Sequence, residues 1–168
     1  MTGGVVWITG LSGAGKSAVA GALADRLRRA GLKPVLLDGD AVRSALGARS
    51  FGADARRQLA QTYGRLCALL AGQGHLVVCA TISLRHEVHQ WNRRHLHRYA
   101  EVFLDVPFEE LRRRDPKGIY RDGDEVVGED VVAELPLEPD LRITNHGTTS
   151  PRAAAERIFA HCAATGWW

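Results

Sequence analysis

Gly10-Leu11-Ser12-Gly13-Ala14-Gly15-Lys16-Ser17 fits the pattern G-x-x-x-x-G-K-[ST], with Gly10, Gly15, Lys16 and Ser17 at its fixed positions. A strand-like run, Val5-Val6-Trp7-Ile8-Thr9, leads into it, and a helix-like run, Ala18 to Ala30, leads out. That context distinguishes a phosphate cradle from a chance glycine-rich turn. Glycines let backbone N–H groups turn inward around an anion. The helix that opens there adds the positive end of its dipole. Gly10, Ser12, Gly13, Ala14 and Gly15 are therefore the expected cradle. Lys16 is placed to reach the β- and γ-phosphates, and the Ser17 hydroxyl to sit on Mg²⁺. The chain is expected to bind a nucleoside triphosphate.

At 168 residues the chain suits one domain, 1–168, with a well-buried core. Apolar content of 45% and charged content of 24% are those of a soluble globular protein. No apolar run reaches the roughly 18 residues of a membrane span, and no signal peptide is visible at the N-terminus. Cys67, Cys79 and Cys162 form no C-x-x-C pair and are expected as packed thiols in a cytoplasmic protein. The net charge of +3 rests almost wholly on arginine: of 22 basic residues, the only lysines are Lys16, Lys33 and Lys117. An arginine-using chain thus keeps lysine in its phosphate loop, where a compact ammonium fits between phosphates. No base-reading or base-stacking module is visible, so neither nucleic acid nor membrane is an expected partner.

Strand-like and helix-like runs alternate, which predicts a parallel sheet wrapped by helices. Further strands are expected at Lys33 to Leu37 ending at Asp38, at His75 to Ala80, at Glu101 to Val106 and at Leu141 to Thr144. Helices are expected over Ala53 to Ala71, with Leu59, Leu66 and Leu70 on one face, and over Glu87 to Arg98, Phe108 to Arg114 and Pro151 to Ala163. Between Asp115 and Pro139 the pattern breaks among prolines, glycines and charges. So long an irregular segment in a compact domain reads as a lid. Ligands of open α/β sheets bind outside the carboxyl ends of the strands. The phosphate loop, the pair Asp38 and Asp40, and Thr81-Ile82-Ser83 all lie there, converging on one crevice.

Phosphoryl transfer needs positive charge around the moving group, a metal on the phosphates and a carboxylate near the attacking hydroxyl. Lys16 and Ser17 meet the first two needs. Asp38 is the candidate for the third, as base or hydroxyl orienter, or instead as a metal ligand acting through water. Asp40 reads either as part of the site or as the N-cap of a helix starting near Ala41. Arg43, one turn on, either meets an anionic acceptor or is an exposed helix arginine.

Taken together, these residues resemble the adenylylsulfate (APS) kinase family of P-loop kinases. The matching pieces are GLSGAGKS at Gly10 to Ser17, LDGD plus arginine at Leu37 to Arg43, F-x-x-D-x-R at Phe51 to Arg56 and ATIS at Ala80 to Ser83. EVFLDVP at Glu101 to Pro107, RDPKGIY at Arg114 to Tyr120 and ELPLEPDLRI at Glu134 to Ile143 complete the series. The resemblance implies a three-layer α/β sandwich with a lid, and transfer of the ATP γ-phosphate to the 3′-hydroxyl of a nucleotide ribose. By motif match it puts Asp38 near that hydroxyl. Asp40, Arg43, Phe51, Arg56, Ile82, Ser83 and Lys117 fall around the acceptor, with Val126 at the position of a stacking phenylalanine. Family members often dimerise, and the terminal pair Trp167 and Trp168 could dock on the domain or on a neighbouring subunit.

The departures fall on the acceptor side. Ala41 replaces the asparagine of DGDN, Leu59 and Gln61 replace an asparagine and an arginine, and Leu84 replaces a proline. His86 and His89 stand where arginines are common, and Val126-Val127-Gly128 stands for the lid's F-T-G. An aliphatic residue there forfeits base–aromatic stacking of roughly 1–3 kcal/mol. The VVG-x-D form at Val126 to Asp130 and the histidine after Ile82-Ser83-Leu84 look more like cytidine diphosphoramidate kinases, relatives within the family. A non-catalytic nucleotide-binding module is the third reading. A GTP switch lacks its N-K-x-D, since Thr144-Asn145-His146-Gly147 is not one. A P-loop motor lacks an acid after Leu76 to Ala80. His86, His89, His95 and His97 lack the cysteine or carboxylate partners of a metal set and fit a solvated or acceptor-facing helix.

Overall fold

A computed structural model describes residues 3–122, 126–128 and 132–168. Asp130 of the VVG-x-D pattern lies outside them. Strand β1 (Gly4–Thr9) is buried along its whole length and occupies the middle of a five-stranded sheet ordered β2-β3-β1-β4-β5. The partners are β2 (Val35–Asp38), β3 (Leu76–Ala80), β4 (Tyr99–Asp105) and β5 (Leu141–Thr144), and every pairing is parallel. Parallel strands covered on both faces are near-continuous apolar runs, which is how VVWI, LVVCA and VFL read.

The two faces separate by alternation along each strand. Val6, Ile8, Val78, Val102 and Leu104 point to one side, under α1 (Lys16–Arg29) and α7 (Pro151–Ala164). Val5, Trp7, Val77 and Cys79 point to the other, under α3 (Ala53–Gly72) and α4 (His86–His95). The buried stripe of α3 runs through Leu59, Ala60, Tyr63, Gly64 and Cys67, while Leu66 and Leu70 are only half-buried. Gly64 is the reason: a Cβ there would lie 2.7 Å from Asn92 Oδ1, so α4 packs against bare backbone. The stripe therefore turns toward Tyr63 and Cys67.

Helix α4 stops at His95, three residues before the expected end, because the chain becomes extended at Leu96, whose side chain is buried. Strand β4 consequently starts at Tyr99. All three cysteines are free and buried. Among the described residues no helix is long and apolar enough to cross a membrane. Trp167 packs against Gly4, where a Cβ would meet its ring at 2.7 Å, and Trp168 lies 4.9 Å from the Phe159 ring. The terminal tryptophans thus dock on their own domain and supply no reason for a subunit contact.

Two segments frame the crevice. The short α2 (Gly39–Ala45) follows β2 directly. After α5 (Phe108–Arg114) the chain makes the single turn α6 (Ile119–Asp122), and its return is pinned to the body. Glu134 N–H donates to the Leu84 carbonyl at 3.2 Å and Arg93 reaches the Glu138 carbonyl at 2.8 Å. Asp140 accepts from Arg93 at 3.0 Å and from the Glu101 backbone N–H at 2.7 Å.

Candidate active site

The loop after β1 needs glycine where its backbone turns left-handed, at Gly13 (φ 81°) and Gly15 (φ 89°). Gly15 has a second constraint: a Cβ would lie 2.7 Å from Asn145 Nδ2. The loop borders a cavity of about 310 Å³ at the carboxyl ends of β1, β2 and β3. Ser12, Gly13, Gly15, Lys16 and Ser17 line it, whereas Gly10 does not and Ala14 is fully buried behind it.

Lys16 Nζ donates to the Leu11 carbonyl at 2.8 Å. Burial of the ammonium, and then the like charge of Lys117, lower its pKa to about 8, against the opposing pull of Asp40 and Asp38. Asp38 accepts the Ser17 hydroxyl proton in a hydrogen bond and also caps α2. Its Oδ1 takes the backbone N–H of Asp40 at 3.1 Å and of Ala41 at 3.5 Å. The N-cap of α2 is therefore Asp38, and Asp40 stands free of that role. Asp40 instead forms an ion pair with Lys117, contributed by the segment after α5. Ser17 and Asp38 together present a hydroxyl and a carboxylate oxygen, the hard donors that Mg²⁺ takes alongside phosphate oxygens.

The acceptor side is built from three elements. Arg43 of α2, Arg56 and Leu59 of α3, and Ile82 and Ser83 after β3 line the same cavity. Ser83 adopts φ 32°, unusual for a residue with a side chain, and neighbouring contacts hold it there. Its hydroxyl meets Thr81 Oγ1 at 2.8 Å, its carbonyl meets His89 Nε2 at 3.0 Å, and Thr9 Oγ1 donates to the Ile82 carbonyl. His89 is thus buried beneath this turn and not on a solvated face. Burial drops its pKa to about 4, so it is neutral and donates through Nε2.

Two expected acceptor residues lie elsewhere. Phe51 is 66% exposed and does not line the cavity; the Arg43 guanidinium sits 4.6 Å from its ring centroid and donates to the Ser50 carbonyl at 3.2 Å. Val126 is 4% exposed and turned into the body, while its neighbour Val127 faces the cavity with Val132 and Glu134. Adjacent residues of an extended segment point to opposite sides, so a one-residue offset exchanges them. Sequence reasoning also passed over Tyr63, which lines the cavity and donates to the Gly39 carbonyl at 2.7 Å. Burial pushes its pKa to about 12 and keeps it a donor. Its spacing from Leu59, one helical turn, is the signal that could have found it.

The profile of the adenylylsulphate kinase family matches residues 2–144. The cytidine diphosphoramidate kinase of Campylobacter jejuni is 34% identical over 146 residues, covering 84% of this chain and 85% of that protein. An adenylyl-sulfate kinase of an Enterobacter species is 40% identical over 149 residues, covering 84% and 74%. Among solved structures, the Mycobacterium tuberculosis APS kinase CysC in complex with AMPPNP and APS superposes with a TM-score of 0.88 at 35% identity, covering 96% of this chain and 98% of that one. With its nucleotide-binding phosphate loop and parallel α/β sheet, the chain is a phosphotransferase acting on a hydroxyl group and belongs to the adenylylsulphate kinase family.

Proposed function

We propose that this enzyme transfers the γ-phosphoryl group of ATP, with Mg²⁺, to the ribose 3′-hydroxyl of a small nucleotide whose 5′ substituent is anionic. The observation that carries this reading is the gathering of Lys16, Ser17, Asp38, Asp40, Arg43, Arg56 and Lys117 around one cavity. Ser17 and Asp38 would hold the Mg²⁺, which supplies charge neutralisation on the phosphates. Lys16 binds the transferring phosphoryl oxygens. Asp40, whose carboxylate faces Lys117 and not the helix cap, is the better group to orient the acceptor hydroxyl and take its proton. Asp38 then serves the metal side. Arg43, Arg56 and Lys117 supply the charge for the acceptor's 5′ anion.

Tyr63, tied by its hydroxyl to the Gly39 carbonyl, is the one aromatic ring among the described residues lining the cavity; the larger apolar side chains beside it, Leu59, Leu84, Val127 and Val132, are aliphatic, and Phe51 is turned away. This favours an acceptor that does not depend on aromatic stacking, and cytidine diphosphoramidate is the first candidate. The likeness to the Campylobacter jejuni enzyme along 85% of its length supports it. Adenylylsulfate is the second reading, favoured by the 40% identity to the Enterobacter enzyme. The test is ADP release over adenylylsulfate, cytidine diphosphoramidate, CDP and CMP, with phosphorus NMR locating the new phosphate. Turnover of a cytidine acceptor at its 3′ position with adenylylsulfate inert is the expected result. Fast turnover of adenylylsulfate alone would overturn the pyrimidine assignment, and silence over the whole panel would leave a nucleotide-binding module.

A further inference from the structure

The phosphate loop is usually described from its inner face, where N–H groups meet the anion. Its carbonyls are as regularly held here. Four consecutive carbonyls, those of Leu11, Ser12, Gly13 and Ala14, each accept a hydrogen bond from a side chain. Lys16 Nζ donates to the first at 2.8 Å and Tyr120 Oη to the second at 2.7 Å. Arg114 Nη1 donates to the third at 3.2 Å and Asn145 Nδ2 to the fourth at 2.7 Å. Three of these donors come from more than 100 positions away in the chain, and two of them, Arg114 and Tyr120, bracket Pro116 and Lys117, which line the cavity. Arg114 also donates to the Asn145 carbonyl at 2.9 Å, so two of the donors hold each other.

A trans peptide unit is planar, with C=O and N–H pointing in opposite directions. A donor that anchors one carbonyl on the outside therefore aims the next residue's N–H inside. Tyr120 on Ser12 sets the N–H of Gly13, and Asn145 on Ala14 sets the N–H of Gly15. Both glycines line the cavity. The intervening N–H, that of Ala14, closes the loop's own turn onto the Leu11 carbonyl at 3.1 Å. The segment after α6 adds a packing contact: a Cβ on Gly128 would lie 2.7 Å from Leu11 Cδ2.

We propose that Tyr120 and Asn145 are positioning residues for the donor polyphosphate. They aim the N–H groups of Gly13 and Gly15 from behind the loop, so that affinity for the triphosphate depends on α6 being seated. The inference rests on the donor site assigned above. Tyr120→Phe keeps the ring, which packs edge-on to Phe108 at 5.4 Å, and removes only the hydroxyl. Asn145→Leu keeps the bulk and removes the donor.

The test measures binding of ATP and of inorganic tripolyphosphate, each with Mg²⁺, by calorimetry on the full chain, together with Tm. Tripolyphosphate has no base or sugar and reads the cradle alone. Loss of one neutral hydrogen bond predicts about fivefold weaker binding of both ligands by the Tyr120→Phe variant, with Tm lowered by no more than roughly 2–4 °C. Asn145→Leu, which leaves a buried carbonyl without its partner, predicts a larger loss, about 20-fold. Should that buried variant fail to fold, the Tyr120→Phe measurement decides alone. Unchanged affinity for both ligands overturns the proposal, and so does a loss confined to ATP, which would mean a contact with the nucleoside. Absence of binding by the wild-type chain would instead overturn the donor-site assignment beneath it.

Discussion

Replacing Asp38 separates chemistry from folding, because its two carboxylate oxygens do different things. Oδ1 accepts from Asp40 N–H at 3.1 Å and Ala41 N–H at 3.5 Å, and Oδ2 accepts from Ser17. Asparagine has the same shape and is as good an N-cap, so Asp38→Asn should retain the cap on α2. Alanine removes it, at a cost of about 1 kcal/mol. For a chain of this size that is a Tm fall of roughly 2–4 °C, while the Asp38→Asn variant should stay within about 1 °C of wild type. Both variants lose the carboxylate charge that would hold Mg²⁺, and turnover should fall about 10²- to 10⁴-fold in each. A metal-side role predicts in addition that the Mg²⁺ concentration for half-maximal rate rises. The assays are coupled ADP release at saturating nucleotide, a Mg²⁺ titration, and calorimetric melting. Asp38→Asn turning over within about threefold of wild type would refute the metal-side assignment. An equal Tm loss in both variants would refute the division of labour between the two oxygens.

Three further outcomes are expected. Lys16, with a pKa lowered to about 8, loses its charge as pH rises through that value, so KM for ATP should climb above about pH 8. The Lys16→Ala variant should show no such limb, with kcat at least about 10²-fold lower. Val127→Phe should strengthen binding of an adenine-bearing acceptor about tenfold by restoring a stacking face, and the same change at Val126 should not; competition with adenylylsulfate reads both. His89 has a folded pKa near 4, below its unfolded value, so the unfolded chain takes up a proton as pH falls through 6.5 while the folded one does not. Stability is therefore lost on acidification, by about 2 kcal/mol between about pH 7 and about pH 5. Urea denaturation should show that acid loss diminished in His89→Gln.

The sheet was legible because its signals are local. The strands at the centre of the sheet carry apolar runs, VVWI in β1 and LVVCA in β3, and the phosphate loop fixes where β1 ends and α1 begins. Even the N-terminus of α2 could be located to within two residues, although its cap is Asp38 and not Asp40. What escaped the sequence depends on contacts between distant segments. Nothing near Leu66 says that Gly64 admits Asn92 and so rotates α3 toward Tyr63 and Cys67. Val126 and Val127 are chemically identical, and only the path of the chain over Leu11 decides which one faces the cavity. The polar face of His89 could not be told from solvent exposure without the Ser83 turn above it. The phosphate loop is one contiguous motif, whereas the rest of the cavity is assembled from distant segments and is set by shape.

The charged groups of the cavity hold one another. Asp38 holds Ser17, Asp40 holds Lys117, and Arg43 lies over Phe51 with a hydrogen bond to Ser50. Each group that a substrate would grip is already spoken for by a neighbour. Capture of a ligand is thus an exchange of partners, and a visitor must offer several contacts at once to displace them. Free sulfate or inorganic phosphate offers fewer contacts than a nucleotide. A nucleotide that engages these groups together should therefore compete for them better than a single inorganic anion.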